Sequence, residues 1–556
     1  MRLALLLLAG SILFPSEWPR TVPERTSHHR TSTVAEVEAF MGALARRDPA
    51  LKPYRPAGAP IRAEGGGPLR AWRLAATSQD AVRVYLNGNI HAGEVEGKEA
   101  LQQLVRELLQ GKHPALRRHL DLVVVPAYNP DATDALDPAI RPWQPNPESG
   151  VGRRENARGL DLNRDLMKTE AASTRFFLAI ARSFDPQVVV DLHTTNGSSH
   201  GFHLTYAPAA ALGNDPTLQT FNRALLSRVR EGLKAEGVPT YDYGDFEPDE
   251  PGRRGGMPQR WGTVHPFPRY LVNYQALRHR LGILSECFVY RSYPERIETT
   301  LRFVKACLER IVQDRAAIRQ EIAGAETRWR RLAANDRSFD LPLGFQPVAT
   351  ETHLFDVITP IRNANRQIIG EKARQTLDLP AFLTWKEKDL VTAPLGFLVD
   401  AIFADEVRPI LERHGLKVLP GSARPRHGRV MHFHETGREL SKDAFQGVHP
   451  LTLRGAWQPE PQAKPHILPW RSEDLDRALW VPLDQPLGRL AFYLLDPRSP
   501  DGLVYWGAMQ SALVRSRLMW GEPPRFPILA LFGGTGPRPA SDGPSEQAVR
   551  PEGKHE

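Results

Sequence analysis

Cysteine is scarce: Cys287 and Cys307 are the two in 556 residues. That excludes a disulfide framework and a cysteine-ligated zinc site, leaving one bridge or a pair of free thiols. Long apolar runs are also missing. Beyond the first fourteen residues no segment reaches the length needed to span a bilayer, so the sequence predicts no integral membrane segment. Concentrated charge is absent too: 72 Lys+Arg against 64 Asp+Glu give +8, spread along the chain. Without a basic stripe or an aromatic-basic motif, nucleic acid is not an expected partner. No internal repeat is evident.

What is present fits a folded protein of more than one domain. The apolar fraction of 41% and charged fraction of 24% are those of globular chains, and 49 prolines imply many loops. The start, "MRLALLLLAGSILFP", sets an apolar run from Leu3 to Phe14 behind Arg2, the pattern of a signal-peptide core. Residues 1–20 are therefore expected to be a signal peptide and the protein to be exported, to the periplasm or the extracellular space.

From Ala81 the chain alternates short β-branched runs with helical patterns. "AVRVYLNGN" leads into the helix-like "EVEGKEALQQLVRELLQG", then come "DLVVVPAYNPD", a helical "TRFFLAIARSF", "PQVVVDLH" and "LGILSECFVY". Continuous apolar strands between helices predict an α/β fold with a mixed, largely parallel central sheet flanked by helices. A helical stretch runs from Pro294 to about Glu326. After it the grammar changes to shorter, proline-punctuated strand patterns. Residues 30–326 are thus read as one domain, 341–533 as a smaller β-rich domain containing a helix near Asp405 to Gly415, and 534–556 as a disordered tail.

Ligands in open α/β sheets bind at the carboxyl ends of the strands, where side chains from neighbouring strands converge. Four such ends carry polar groups: "NIHAGE" (His91, Glu94), "PAYNPD" (Asn129, Asp131), "DLHTT" (His193) and "GILSE" (Glu286). Two imidazoles and a carboxylate suit a tetrahedral zinc site with one open position, although spacing alone does not exclude Mn²⁺, Co²⁺ or Fe²⁺. His-x-x-Glu by itself is weak, because "MHFHETG" supplies a second copy, His432 with Glu435, lacking partners of this kind. Between the strands lies "RRENARGLDLNRD" (Arg153 to Asp165), whose arginine forks and asparagine amides suit carboxylates and oxyanions.

These blocks, in this order and approximate spacing, resemble the zinc carboxypeptidase family, the carboxypeptidase A/B-like metallopeptidases, over roughly Thr33 to Glu326. The asparagine-arginine block is the most specific part, and "VPLDQPLGRLAFYLLDPRSPDGLVYWGAM" is similar to the C-terminal extension of some bacterial members. The resemblance implies one Zn²⁺ per chain, bound by His91, Glu94 and His193, with Glu286 as general base. It implies that Arg154 polarises the scissile carbonyl and that Asn163 and Arg164 hold the free C-terminal carboxylate of a peptide substrate. Asp161 would orient a ligating histidine, His91, and a tyrosine would close over the substrate, Tyr274 being preferred to Tyr270. Arg278 and Arg280 are read as surface residues ahead of an acidic-side-chain pocket, Cys287 as a core thiol, and Glu96 as no ligand. Oligomeric state is left unassigned. A related amidohydrolase acting on cell-wall peptides or N-acyl amino acids, and a non-catalytic peptide-binding module, remain open as alternatives.

Overall fold

The computed structural model describes residues 17–247, 257–334, 339–364, 368–459, 470–510, 513 and 526–534. Most of the expected signal peptide and all but the first residue of the expected tail lie outside the described residues. Among those described, ten strands precede residue 290. They are β1 (Leu51–Tyr54), β2 (Ala71–Leu74), β3 (Val82–Gly88), β4 (Leu120–Val125), β5 (Val188–Thr194), β6 (Leu204–Pro208), β7 (Thr240–Asp242), β8 (Asp245–Glu247), β9 (Arg260–Gly262) and β10 (Leu281–Cys287). Eight form the central sheet in the order β1-β2-β4-β3-β5-β10-β6-β7. Its middle, β4-β3-β5-β10, is parallel, and antiparallel pairings flank it at β1/β2, β2/β4 and β10/β6. The sheet is therefore mixed with a parallel centre.

Strand alternation explains why these runs read as continuously apolar. Val188, Val190 and Leu192 of β5 enter one core with Leu101, Leu104 and Leu108 of the helix Glu96–Leu109 and Phe303 of the helix Tyr293–Gln313. Val189 points the opposite way, into a second core with Phe177 and Leu271. Both faces of the parallel centre are covered, so neither needs polar residues. Glu96–Leu109 stops near Gly111, whose φ of 75° is the left-handed conformation that ends helices.

The second half is not one sheet. β11 (Asp340–Arg362) and β12 (Ile368–Thr392) form a long antiparallel hairpin that continues onto β9 and β8. A six-stranded sheet follows, made of β13 (Gly396–Val399), β14 (Leu419–Pro420), β15 (Arg429–Leu440), β16 (Leu451–Pro459), β17 (Leu479–Pro482) and β18 (Ile528–Phe532), in the order β14-β17-β13-β18-β15-β16. The expected helix is there as Ala404–His414, ended by Gly415 at φ 85°. Phe397, Phe492 and Trp506 from this half share one core with Phe177, Leu271 and Tyr274. That sheet and its helices thus close the second face of the central sheet. None of the described helices is long and apolar enough to cross a membrane.

Candidate metal centre

His91 and Glu94 lie in the turn between β3 and the helix Glu96–Leu109, while His193 and Glu286 come from the carboxyl ends of β5 and β10, where they are register partners. Parallel pairing of β3, β5 and β10 puts all three ends at one edge of the sheet. His91, Glu94 and His193 are buried and offer ligand atoms within 4.8 Å of one another, the one such His/Cys/Asp/Glu group among the described residues.

Both imidazoles turn Nδ1 toward Glu94: His91 Nδ1 is 3.1 Å from Oε1 and His193 Nδ1 is 2.9 Å from Oε2. Each Nε2 has its own carboxylate, Asp161 for His91 at 3.0 Å and Asp191 for His193 at 2.8 Å. An imidazole that donates from Nε2 to a carboxylate keeps the Nδ1 lone pair for a cation and becomes a better ligand. This donor set, two nitrogens and a carboxylate converging with their far sides anchored, fits a divalent metal such as zinc.

Electrostatics point the same way. Burial pushes the Glu94 carboxyl up, yet the adjacent His91 and His193 hold it well below the usual range. Burial likewise opposes charge on His193, but Asp191 and Glu94 raise it well above the ordinary imidazole value. Burial acts on Asp161 too, outweighed by Arg154, His91 and Arg164. Glu286 is different: burial pushes it up to about 8, His193 and Arg154 pull it down, and Glu94 adds repulsion. A carboxylate poised near neutrality beside a metal site is suited to proton transfer.

Arg154 Nε donates to Asp161 Oδ2 at 2.8 Å, and its Nη1 lies 3.8 Å from Glu94 Oε1. Asn163 and Arg164 sit in a single 3₁₀ turn, Leu162–Arg164, capped by Asp161, whose Oδ1 accepts from Asn163 N–H at 2.8 Å. Asn163 Oδ1 is taken by Leu271 N–H at 2.8 Å, so the amide NH₂, 3.5 Å from His193 Nε2, is the end turned to the cleft. The Arg164 guanidinium stacks on Tyr270, 4.5 Å from the ring centroid. Arg154, Asn163, Arg164 and Tyr270 line one cleft with Asn196, Tyr243, Val264, Val272 and Leu284.

Tyr274 is not part of it. The helix starts at Leu271, so Tyr270 precedes it in extended conformation and faces the cleft, while Tyr274 is fully buried and bonded to His414. The structure thus places Tyr270 at the cleft and not the expected Tyr274. Arg278 is buried and Arg280 nearly so, which corrects the expectation of surface residues; both pair with Asp185, Arg280 also with Glu326, and neither lines the cleft. Glu96 is engaged by Thr194 and Arg296. Cys287 and Cys307 are buried free thiols, and burial raises both above the ordinary thiol range. Glu435 of the second His-x-x-Glu is held by Arg438 in a two-bond pair at 2.7 Å each.

Four contributors went unnamed in the sequence. Asp191 was readable in hindsight, because a residue two before His193 on a strand shares its face. Arg141, whose Nη1 contacts Glu94 Oε1 at 2.9 Å, Tyr243 and Gln446 come from loops with no motif to mark them.

Residues 37–192 match the model of the zinc carboxypeptidase family, a span that holds His91, Glu94, Arg154, Asp161, Asn163 and Arg164 and stops one residue short of His193. "Carboxypeptidase 2" of Trichophyton tonsurans is 26% identical over 241 residues, 40% of this chain and 41% of that protein. "Carboxypeptidase 2" of Trichophyton rubrum is 27% identical over 175 residues, 30% of this chain and 29% of that one. The chain thus spans about two fifths or less of the length of these relatives. Among solved structures, a metallo-carboxypeptidase from Burkholderia cenocepacia aligns at TM-score 0.37 and 15% identity, covering 50% of this chain and 69% of the other. Carboxypeptidase A from Helicoverpa armigera aligns at 0.38 and 13%, covering 51% and 75%.

Proposed function

We propose that this chain, which carries the zinc carboxypeptidase family match, is a metallocarboxypeptidase hydrolysing the C-terminal peptide bond of peptides. The observation that carries the reading is the convergence of His91 Nδ1, His193 Nδ1 and Glu94 next to Glu286, with a donor-rich arginine-asparagine turn in the same cleft. His91, Glu94 and His193 would hold one Zn²⁺, which when bound supplies a Lewis acid and lowers the pKa of a water to about 7.

The protein's own groups do the rest. Glu286 takes a proton from the attacking water and returns it to the leaving amine, the work of a carboxylate poised near neutrality. Arg154, braced through Nε by Asp161, turns the rest of its guanidinium to the scissile carbonyl as negative charge develops there. Asn163 NH₂ and Arg164 bind the substrate's terminal carboxylate, since both present donors and Asn163 has already spent its acceptor on Leu271. Tyr270, in contact with Arg164, closes the same end of the cleft.

The test compares a peptide with a free C-terminus and the same peptide amidated there, alongside muropeptides and N-acyl amino acids. Metal content and activity are followed before and after chelation. Release of the last residue from the free peptide alone, lost on chelation and restored by Zn²⁺, is the expected result. Hydrolysis of the N-acyl amino acid without release from peptides would move the reading to an amidohydrolase. Activity that survives complete removal of metal would overturn it.

A further inference from the structure

Asp161 is fixed on every side that matters for the site. Its Oδ1 takes bonds from His91 and from Asn163 N–H, its Oδ2 takes Arg154 Nε, and its carbonyl accepts Arg164 N–H at 3.0 Å. The remaining backbone group, its N–H, is bound from far away in the chain: it donates to Gln446 Oε1 at 2.8 Å. Gln446 lies in the loop joining β15 to β16, 285 positions along the sequence.

That loop is built to present this one side chain. Gln446 has φ 53°, a left-handed conformation a glutamine adopts only when its surroundings impose it. They do so visibly. Its carbonyl accepts the buried Lys168 ammonium at 2.8 Å, and Phe445 stacks on Trp506 with centroids 5.7 Å apart. Because the partner on Asp161 is a donor, the Gln446 amide must offer its oxygen, which settles its orientation.

We propose that Gln446 is a positioning residue for the metal centre, through which the six-stranded sheet holds Asp161, and with it His91 and Arg154, in working geometry. This rests on the reading of His91 as a metal ligand. Asp161 shares one carboxylate between the imidazole and the guanidinium, so displacing its backbone shifts both at once. A carboxylate that orients a ligating histidine typically changes metal affinity or activity 10–100-fold when disturbed.

The experiment compares the full chain with its Gln446→Ala and Gln446→Glu variants. Zinc affinity is measured against a chromophoric chelator, amide exchange in the peptide containing Asp161 by mass spectrometry, and kcat and KM on the cleaved peptide. In Gln446→Ala the exchange should quicken by about tenfold or more and zinc affinity and kcat should fall by about 10–100-fold with KM nearly unchanged. Gln446→Glu, which keeps an acceptor at the same reach, should restore all three. Equal zinc affinity in all three proteins overturns the proposal alone. So does a parallel loss in Ala and Glu variants tracking a common drop in Tm, the mark of a merely structural role. Failure of the unaltered protein to bind zinc overturns the metalloenzyme reading, and the proposal with it.

Discussion

The Tyr274 phenol and the His414 imidazole meet 2.7 Å apart in the interior between the two halves of the chain, Tyr274 O–H donating to Nδ1. The other ring nitrogen is 3.1 Å from Met167 O, so Nε2 carries the hydrogen and the tautomer is fixed by its neighbours. Tyr274→Phe should therefore act on stability and not on catalysis. Removing the hydroxyl leaves a buried Nδ1 without its donor, a cost of about 1–3 kcal/mol. Chemical denaturation should read that loss with kcat and KM unchanged, whereas Tyr270→Ala, which removes the buried ring beneath Arg164, should lower kcat/KM by about fivefold to tenfold in addition to its own cost in stability. The reverse pattern would return the closing role to Tyr274.

Glu286→Gln should cut kcat by about 10²–10⁴ while zinc content stays at that of the unaltered protein. The substitution is near-isosteric and leaves His91, Glu94 and His193 in place. Arg154→Ala should cost about 10²–10³ in kcat, the range for groups that stabilise developing oxyanions. Steady-state kinetics with metal analysis on the same samples checks both, and hydrolysis unaffected by Glu286→Gln would remove the residue from the role of base.

Asp191 bonds both His193 Nε2 and Asn87 Nδ2, at 2.8 and 2.7 Å. Asp191→Asn keeps the shape and loses the charge that raises the basicity of His193. Zinc affinity should fall by about 10–100-fold. Competition with a chelator of known affinity measures it, and an unchanged value would mean that Asp191 serves only the sheet.

Three buried histidines contribute to the response to acid. Burial holds His200, His279 and His414 down to about 3 each, far below the value near 6.5 of an unfolded chain. Between those values the unfolded state binds protons that the folded state refuses. Their contribution to stability is then fully present above about pH 6.5 and is lost as pH falls toward 3. His414→Gln, which can still accept from Tyr274 and donate to Met167, should flatten the dependence by up to about 1.4 kcal/mol per pH unit in that window. Denaturant midpoints measured from pH 7 to 4 test this, and an identical slope in the variant would exclude His414 from the acid response.

Much of the centre was legible because its chemistry sits at strand ends. Val188 to Val190 and Leu281 to Ile283 are apolar on both faces, so the polar residues after them had to mark the edge of the sheet. Helix phase was harder to read. Tyr270 and Tyr274 are one turn apart, and only the start of the helix at Leu271 decides which of them faces the cleft. The second half was read as a single β-rich domain because a hairpin and a sheet share the same residue grammar. Only pairing separates them: β12 continues onto β9, while β13 joins β17 and β18. Arg141 and Gln446 were invisible for another reason: a loop side chain reaching across the fold leaves no periodic trace in its own neighbourhood.

The shared core bears on inheritance as well as on folding. Trp329, in the helix Arg315–Ala333, donates its indole N–H to the carbonyls of Leu483 and Gln485, at 3.1 and 3.0 Å. Phe177, Leu271 and Tyr274 pack in one cluster with Phe397, Phe492 and Trp506. A cut near residue 334, where the sequence changes character, would therefore open a wet apolar wound along one side of the central sheet. The half that carries His91, Glu94 and His193 is consequently not a portable module: in any fusion or recombination it has to travel with its six-stranded companion, and the two are expected to diverge as a pair.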